Sequence, residues 1–355
     1  MKRSMAILLA LVLALSLAAC GGGKSDSGSS GASGGSGDSG ASGGGEKTYR
    51  VGFILDSSVN DGGWGTACYS ELTAAVERNP KWSMESTDNL SHDSFYDAMV
   101  AYCNAGFDLI YAPGGEYTDA MLQVAEEYPD VCFALLNGGE DAPGQASNGN
   151  LTSLLPNGQQ IGWIAGALAG LMTESGTIAF IGGMELTTTL AKYQGFCEAA
   201  QYVGEQEGKT IRALDAVYAN TYDDSSKGIE FANAMIEQGA DVFFGDASAV
   251  DSGARQAIDE HNAKTGSVSV YDIAQPADYL GQNECIIGSQ ITDNSSLIAL
   301  SFEAVENGTF GGEVLFGNLQ NGVLAPGALS DLVPAEKQEQ YSAYVQQMID
   351  GTFMQ

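Results

Sequence analysis

The sequence predicts an α/β protein built from two parallel sheets, and three observations support this fold class. Apolar runs of strand length alternate with helical segments from residue 49 onward. The alternation stops near residue 155 and restarts near residue 177. The roughly 300 residues that follow position 47 suffice for one large or two medium domains. Strand–helix alternation forms βαβ units and a parallel sheet, so two such units in tandem would face each other across a cleft.

The first half alternates predicted strands with predicted helices. Residues 49–55 (YRVGFIL) read as a buried strand, and the turn Asn60-Asp61-Gly62 can cap a helix over 63–78. The other elements of this half are helices at 94–104 and 119–128 and strands at 107–112 and 131–136. A short extended piece at 151–155 and an apolar helix at 158–172 lead into the second half.

The second half repeats the alternation. The sequence predicts strands at 177–181, 211–218, 241–245, 267–271 and 285–289, with helices at 189–205, 225–238, 252–262 and 295–307. The tail adds a strand near 313–319 and a helix at 334–350. Ligands of open α/β sheets bind outside the carboxyl ends of the strands, so residues that follow strands are the candidates for ligand contacts.

The N-terminus has the features of an export signal. Lys2 and Arg3 precede an apolar run at 6–19, which is shorter than the about 20 residues needed to span a bilayer. A basic start, a short apolar core and small residues before a cut site indicate a secretory signal peptide. The run ends Leu17-Ala18-Ala19-Cys20, which resembles the bacterial lipobox. We therefore predict a lipoprotein signal peptide at 1–19 and a lipid on Cys20; an ordinary signal peptide that contains a cysteine is the alternative.

Residues 20–46 are predicted to be the lipidated cysteine and a flexible linker. The stretch 21–45 is almost entirely Gly, Ser, Ala and Asp, a composition that behaves as coil with a reach of roughly 25–30 Å. Two or more acyl chains on one residue would anchor the chain stably to a membrane. The expected location is the extracytoplasmic face of the cell membrane.

The net charge of −31 argues against nucleic acid as a partner and against adhesion to anionic lipid heads.

Five cysteines besides Cys20 are scattered without a C-x-x-C pair, and there are two histidines. A zinc site is therefore not expected, and no particular disulfide is predicted among Cys68, Cys103, Cys132, Cys197 and Cys285. The sequence has no nucleophile elbow, HExxH, P-loop or dinucleotide fingerprint after the first strand, so we predict no catalytic residue, metal or cofactor, and a monomer.

Six stretches in a specific order carry a family resemblance. They are VGFILDSSVNDGGW (51–64), GFDLIYAPGGEYTDA (106–120), IGWIAGALAGLMTESGTIAFIGGME (161–185), YQGFCEAA (193–200), NTYDDSSKGIEFANAMIEQGADVFF (220–244) and FGNLQNGV (316–323). From about residue 50 onward the chain resembles the basic membrane protein family of solute-binding lipoproteins, which includes the PnrA-like purine-nucleoside receptors. The resemblance implies a type I periplasmic-binding-protein-like fold with two Rossmann-like lobes and a three-strand hinge. It also implies an ABC permease as partner.

By this resemblance the N-terminal lobe is 47–152 with 290–313, and the C-terminal lobe is 156–287 with 316–355. Asn60-Asp61-x-x-Trp64 matches a family motif, Asn-Asp-x-Ser-Phe, in which the ring stacks on a base and the polar pair bonds to it. Stacking of this kind contributes about 1–3 kcal/mol. The alternative is that Trp64 packs on its own lobe.

Further ligand contacts follow from the same resemblance. Tyr222 falls where the family places a second aromatic, so Trp64 and Tyr222 could sandwich a base, whereas Asp223 and Asp224 are expected to cap the next helix. Asp272 matches the first acid of Gly-Val-Asp-x-Asp-Gln, where a carboxylate after a strand can accept bonds from two sugar hydroxyls. Gln275 also fits, but Ala274 replaces the second acid.

Glycines and one more carboxylate complete the candidate set. Gly114 and Gly115 follow a strand, and they are expected to let the backbone approach the ligand; a tight turn is the alternative. Asp56 follows the first strand and joins the candidate ligand contacts.

Three departures from the family leave the ligand open. The family's Ser-Val-Val-Lys is Ser289-Gln290-Ile291-Thr292, so a lysine that would help hold ribose is lost. Asp246 stands where small uncharged residues are usual, and Leu190, Ala191 and Lys192 replace a basic pair and a phenylalanine near Glu185. The cleft is expected to gain acid and lose base. The ligand is therefore a purine nucleoside or, alternatively, a sugar or cationic metabolite, and a ligand-sensing surface lipoprotein without transport is the third hypothesis.

Overall fold

The computed structural model describes residues 47–60 and 64–355. The predicted signal peptide, Cys20 and the linker lie outside the described residues, and so does the candidate ligand contact Asp61. Within the described ranges, no helix is both long and apolar enough to cross a membrane.

The first half of the chain builds a parallel sheet flanked by helices. Its elements are β1 (Tyr49–Ile54), α1 (Trp64–Arg78), β2 (Trp82–Thr87), α2 (Phe95–Asn104), β3 (Leu109–Pro113), α3 (Thr118–Glu127), β4 (Cys132–Leu136), α4 (Ala142–Gln145) and β5 (Leu151–Pro156).

The second half builds another sheet of the same kind. Its elements are α5 (Gly158–Met172), β6 (Thr177–Gly182), α6 (Thr187–Gln206), β7 (Arg212–Ala213), β8 (Val217–Tyr218), α7 (Ser225–Glu237), β9 (Val242–Asp246), α8 (Ala249–Thr265), β10 (Tyr271–Ala274) and β11 (Ile286–Thr292). The tail adds α9 (Asn294–Asn307), β12 (Val314–Gly317), β13 (Leu324–Pro326) and α10 (Ala335–Ile349).

The described strands form two sheets. The first has the order β12-β5-β4-β3-β1-β2, and the second has the order β13-β11-β10-β9-β6-β7, with β8 also paired to β6. All pairs are parallel except β11 with β13. The prediction of an α/β protein with two parallel sheets is confirmed.

Several strands differ from the sequence-based expectation. The strand expected at 211–218 forms the two short strands β7 and β8, and β13 is an additional strand. Two further differences have clear physical reasons. The edge strand β2 was not predicted, because its sequence WSMEST is polar and only Trp82 is buried. The strand expected at 267–271 lies at Tyr271–Ala274 instead. The side chain of Asn262 accepts hydrogen bonds from the backbone N–H groups of Ser269 and Val270, both at 3.0 Å, so these residues are held by a helix side chain rather than by a neighbouring strand.

The chain crosses between the sheets three times within the described residues, and each crossing starts at the carboxyl end of a strand. Asn157 separates β5 from α5, Asp293 separates β11 from α9, and residues 318–323 separate β12 from β13. The crossings bond to one another, because Asn157 N donates to Gly317 O and Asp293 N donates to Val323 O, both at 2.7 Å. The carboxyl edges of the two sheets therefore meet at one hinge.

Strand pairing moves two expected lobe boundaries. Phe316 and Gly317 pair with Leu155 and Pro156 of β5, so β12 belongs to the first sheet and residues 316–317 do not start the second lobe. Residues 290–292 belong to β11 and extend the second sheet. Backbone hydrogen bonds thus carry β11 three residues past the boundary expected at 290 before the chain crosses.

Helices α5 and α6 pack with their backbones in contact, and this contact positions the start of α6. A Cβ atom at Gly162 would overlap the backbone oxygen of Lys192, and one at Gly195 would overlap that of Gln159. Both glycines are buried in the interface. The small residues of the two helices thus fix Lys192 relative to the second sheet.

We predict that Gly162→Ala lowers the free energy of unfolding by about 1–3 kcal/mol, because the added methyl group must push α5 away from α6. Denaturant unfolding of the purified protein measures this. Gly144→Ala is the matched control, because a Cβ at Gly144 meets nothing within 4 Å. Equal effects of the two substitutions would contradict the close packing.

Candidate functional site

The carboxyl edge of the first sheet presents an aromatic ring. Trp64 begins α1, and its indole Nε1 donates a hydrogen bond to Pro113 O at the end of β3, at 3.0 Å. The residue nevertheless remains 45% exposed. The ring is therefore tied to its own lobe, as the alternative interpretation expects, and its contact with a ligand stays a prediction.

Asp56 and Gly114 lie on the same edge, close to a buried tyrosine. The backbone N–H of Asp56 donates to the Tyr117 hydroxyl at 2.8 Å, and Tyr117 is fully buried. The carboxylate of Glu116 occupies the space that a Cβ of Gly114 would need. Burial raises the pKa of Glu116, and the charge of Asp56 adds to the rise.

The structure thus gives a different reason for glycine at position 114 than approach of a ligand. The φ angle of 162° is extended backbone that any residue adopts. Glycine is therefore needed at position 114 because the Glu116 carboxylate leaves no room for a Cβ atom. Gly115 starts a single 3₁₀ turn, and a Cβ there would make only an ordinary contact of 3.7 Å with Asn137 O. The proposed contact of these glycines with a ligand stays a prediction.

The predicted polar pair before Trp64 is only half described. Asn60 is exposed, and its backbone N–H donates to Ser58 Oγ at 3.2 Å. Its partner Asp61 lies outside the described residues. The role of this pair in ligand binding stays a prediction.

The carboxyl edge of the second sheet carries a polar cluster at the ends of β9 and β10, which we call the Asp246 cluster: Thr189, Lys192, Asp246 and Gln275. Lys192 Nζ lies 2.8 Å from Asp246 Oδ1 and 3.2 Å from Gln275 Oε1. Thr189 Oγ1 donates to Asp246 Oδ2 at 2.8 Å. The Gln275 amide donates to Gly245 O. The Lys192 and Asp246 side chains are 16% and 22% exposed, so a solute can reach them.

This ion pair changes the expected charge of the cleft. The departures from the family pattern predict that Asp246 adds negative charge to the cleft. The positive charge of Lys192 balances that of Asp246. In the sequence, Asp246 and Lys192 are two separate departures from the family pattern. A spacing of three places Thr189 and Lys192 on one face of α6, and this spacing was the signal that could have joined them to Asp246.

Tyr222 lies beside the Asp246 cluster. Its ring occupies the space that a Cβ of Gly183 would need, directly after β6. Burial raises the pKa of Tyr222, and Asp246 contributes to the rise. The expectation that Asp224 caps the following helix is confirmed, because its side chain accepts a hydrogen bond from Ser226 N at 3.1 Å.

Asp272 is not placed as the sequence suggested. It is the second residue of β10 rather than the residue after a strand, and its Oδ2 accepts a hydrogen bond from Arg255 Nε at 2.7 Å. The two side chains are only 6% and 9% exposed. Burial raises the pKa of Asp272, against the opposing charge of Arg255. We therefore remove Asp272 from the candidate ligand contacts: Arg255 on α8 already binds its carboxylate, and β10 ends at Ala274.

The cysteines and other potential metal ligands form no metal site in the described ranges. No group of three or more His, Cys, Asp or Glu residues there could hold a metal ion. No disulfide joins the five cysteines of these ranges to one another.

Two α/β lobes joined by three crossings, with exposed side chains at the carboxyl edges of both sheets, are the architecture of type I solute-binding proteins. Residues 48–353 match the Bmp family, described as ABC transporter substrate-binding protein PnrA-like. The chain therefore belongs to this family of ABC transporter substrate-binding proteins.

Three relatives match this chain in sequence over most of their length, at low identity. The transcriptional activator protein Med of Bacillus subtilis is 23% identical, over 84% of this chain and 88% of its own. A putative ABC transporter glucose-binding protein of Haloferax volcanii, TsgA13, is 23% identical over 86% and 73%. The ABC transporter nucleoside-binding protein BmpA of Lactococcus lactis is 23% identical over 77% and 80%.

Solved structures support the same fold. A transcriptional activator of the comK gene from Bacillus halodurans superposes with a TM-score of 0.68 at 21% identity, over 86% of this chain and all of its own. A solute-binding protein from Aeropyrum pernix gives 0.65 at 19% identity over 85% and 92%. One from Actinobacillus succinogenes with bound D-allose gives 0.60 at 13% over 83% and 100%. The family and these two solute-binding neighbours are not enzymes, which agrees with the sequence-based prediction.

We predict that Asp272→Ala destabilises the fold by about 3–5 kcal/mol, because it leaves the buried Arg255 without its partner. Denaturant unfolding measures the loss. Asp223→Ala is the control on the same lobe, because Asp223 is exposed, and its effect is expected within about 0.5 kcal/mol. A small loss of stability together with a large loss of ligand affinity would restore Asp272 to the binding site.

Proposed function

We propose that the chain is a lipid-anchored receptor that binds a purine nucleoside between the carboxyl edges of its two sheets and delivers it to an ABC permease. One observation supports the proposal most directly. The carboxyl edge of the first sheet presents an exposed aromatic ring, and the carboxyl edge of the second sheet presents a polar cluster whose charges balance. Trp64 supplies the ring, and the Asp246 cluster with Tyr222 supplies the second face.

The base would bind to Trp64. The hydrogen bond from the indole to Pro113 O holds the ring in place, so little rotational freedom is lost when a planar heterocycle stacks on it. Stacking is worth about 1–3 kcal/mol for a base. Tyr222 lies on the opposite lobe and would reach the second face of the base when the hinge closes, a motion that two-lobed binding proteins use to enclose ligands.

The sugar would bind to the Asp246 cluster. An ionised carboxylate accepts hydrogen bonds from hydroxyl groups, and such charge-assisted bonds are stronger than neutral ones. The ammonium group of Lys192 lies 2.8 Å from Asp246, beside the position proposed for the sugar. Lys192 from α6 would thereby supply the positive charge that Thr292 lacks at the end of β11.

The neutral Asp246–Lys192 pair also bears on the alternative ligands. A cationic metabolite would need an unbalanced acid, so the pair disfavours that alternative. A neutral sugar fits the cluster as well as a ribose does, and the similarity to a protein named as glucose-binding favours it as the second candidate. The aromatic edge, with the nucleoside-binding relative, favours the nucleoside.

The anchor and the partner complete the proposal. A lipid on Cys20 and the linker that follows would hold the two lobes within reach of a permease. The similarity to proteins named as transcriptional activators keeps a sensor without transport as the alternative role. Uptake of a labelled nucleoside by cells with and without this gene separates transport from sensing.

We predict that a purine nucleoside such as inosine raises the melting temperature and quenches tryptophan fluorescence. Ligand at 100 times its Kd adds about 2.7 kcal/mol of stability, which a thermal-shift panel of nucleosides, free bases and monosaccharides detects. The quenching is expected to vanish in Trp64→Ala and to persist in Trp163→Phe, whose ring packs against Phe353. Stabilisation by a monosaccharide and by no nucleoside would reject the nucleoside.

We predict that Lys192→Met weakens nucleoside binding by roughly 10- to 100-fold, because a hydrogen bond to a charged group is worth about 1.5–3 kcal/mol. Binding of the free base should change little, since the base lies on Trp64. Titration calorimetry measures both. Lys264→Met is the control, because Lys264 is exposed on α8 of the same lobe. Unchanged nucleoside affinity would exclude Lys192 from the site.

A further inference from the structure

A buried carboxyl group joins helix α1 to the hinge. Glu71 on α1 accepts a hydrogen bond at Oε1 from Asn294 Nδ2, at 3.0 Å. Asn294 is the first residue of α9 and follows Asp293, the crossing residue between β11 and α9. The contact therefore links the first lobe to the segment by which the chain leaves the second sheet.

The remaining atoms of these two groups lack partners. Glu71 Oε2 and Asn294 Oδ1 are both buried without a hydrogen bond in the described part of the chain. Two oxygens that only accept cannot bond to each other, and each unsatisfied buried group costs stability. A proton on Glu71 Oε2 would make it a donor, and a planar acid beside a planar amide can exchange two hydrogen bonds. One proton would satisfy both atoms.

The charges around Glu71 favour that proton. The negative charge of Asp293 acts on Glu71, and the Asp293 carboxylate lies 3.4 Å from Arg78 Nη1. Tyr111 of β3 is fully buried and interacts electrostatically with Glu71 and Cys68. Burial and the charge of Asp293 raise the pKa of Glu71 to about 7, although the bond from Asn294 opposes the rise.

We propose that Glu71 and Asn294 form a proton-dependent clasp that ties α1 to the hinge crossing when Glu71 is protonated and loosens when it ionises. The proposal is independent of the identity of the ligand. It makes the attachment of the crossing at Asp293 depend on the pH outside the cell, where the protein is expected to reside.

The direction of the pH effect follows from the raised pKa. The folded state binds the proton of Glu71 more tightly than the unfolded state, whose carboxyl keeps its ordinary value of 4.5. The stabilising contribution is therefore fully present below that value and is lost as the pH rises through about 7. Glu71→Gln keeps the shape, stays neutral and can donate to Asn294 Oδ1 at every pH.

The test compares melting temperatures of the full chain, Glu71→Gln and Glu77→Gln from about pH 5 to about pH 8. The advantage of Glu71→Gln over the unsubstituted chain is expected to grow by roughly 4–8 °C across this range. Glu77→Gln makes the same chemical change at an exposed site of α1 and should follow the unsubstituted chain. Asp251, with a pKa raised to about 7 mainly by its burial, titrates in all three proteins and cancels. Parallel curves for Glu71→Gln and the unsubstituted chain overturn the proposal.

Two direct measurements separate a clasp from a merely buried acid. The carboxyl carbon resonance of Glu71, assigned by its absence in Glu71→Gln, should titrate with a midpoint near 7; an ordinary midpoint near 4.5 overturns the proposal. Amide hydrogen-exchange protection at the start of α9 should fall with rising pH in the unsubstituted chain and not in Glu71→Gln. Equal protection in both proteins at high pH also overturns it.

Discussion

The three crossings at the hinge are the constraint on which the rest of the structure depends. Each begins where a strand ends, so the carboxyl edges of both sheets meet at one place. Backbone hydrogen bonds from Asn157 and Asp293 to the ends of the third crossing join them into one unit. Two of the crossing residues also cap the helices that follow, because Asn157 accepts from Gln160 N and Asp293 accepts from Ser296 N. The same residues therefore end strands, start helices and bring together the edges that carry the candidate site.

The second lobe uses buried charge in two different ways. The Arg255–Asp272 pair is almost completely buried between α8 and β10. Taking two charges out of water is costly, so such a pair makes removal of one partner severe without making the pair itself a large source of stability. The Asp246–Lys192 pair lies at the strand ends and keeps part of its surface open. Its position leaves oxygen and nitrogen atoms accessible to a solute, and its zero net charge suits a neutral one.

The Glu71–Asn294 contact adds a third kind of buried polar interaction, at the hinge itself. Helix α1 carries Trp64 at its start and Glu71 two turns later. The helix that orients the candidate ring for ligand is thus the helix bonded to the crossing. Whatever loosens the start of α9 from α1 acts on the same element that presents the ring to the cleft, which gives the proposed site a physical connection to lobe movement.

The sequence by itself determined the fold class, the order of nearly all helices and strands, the family and the absence of enzyme motifs, because each depends on local patterns: apolar periodicity, capping residues and short motifs. Local patterns also placed Trp64 at the start of a helix and Asp246 at the end of a strand. Tertiary structure alone decided the rest. The pattern around Asp272 is the same whether its carboxylate faces a cleft or a buried arginine, and only the packing of α8 on β10 distinguishes the two. The partner of Asp246 lies 54 residues away on another element, and the partner of Glu71 lies 223 residues away at the start of α9. Long-range pairs of this kind form because the sheets and crossings bring distant segments together, and no local pattern encodes them.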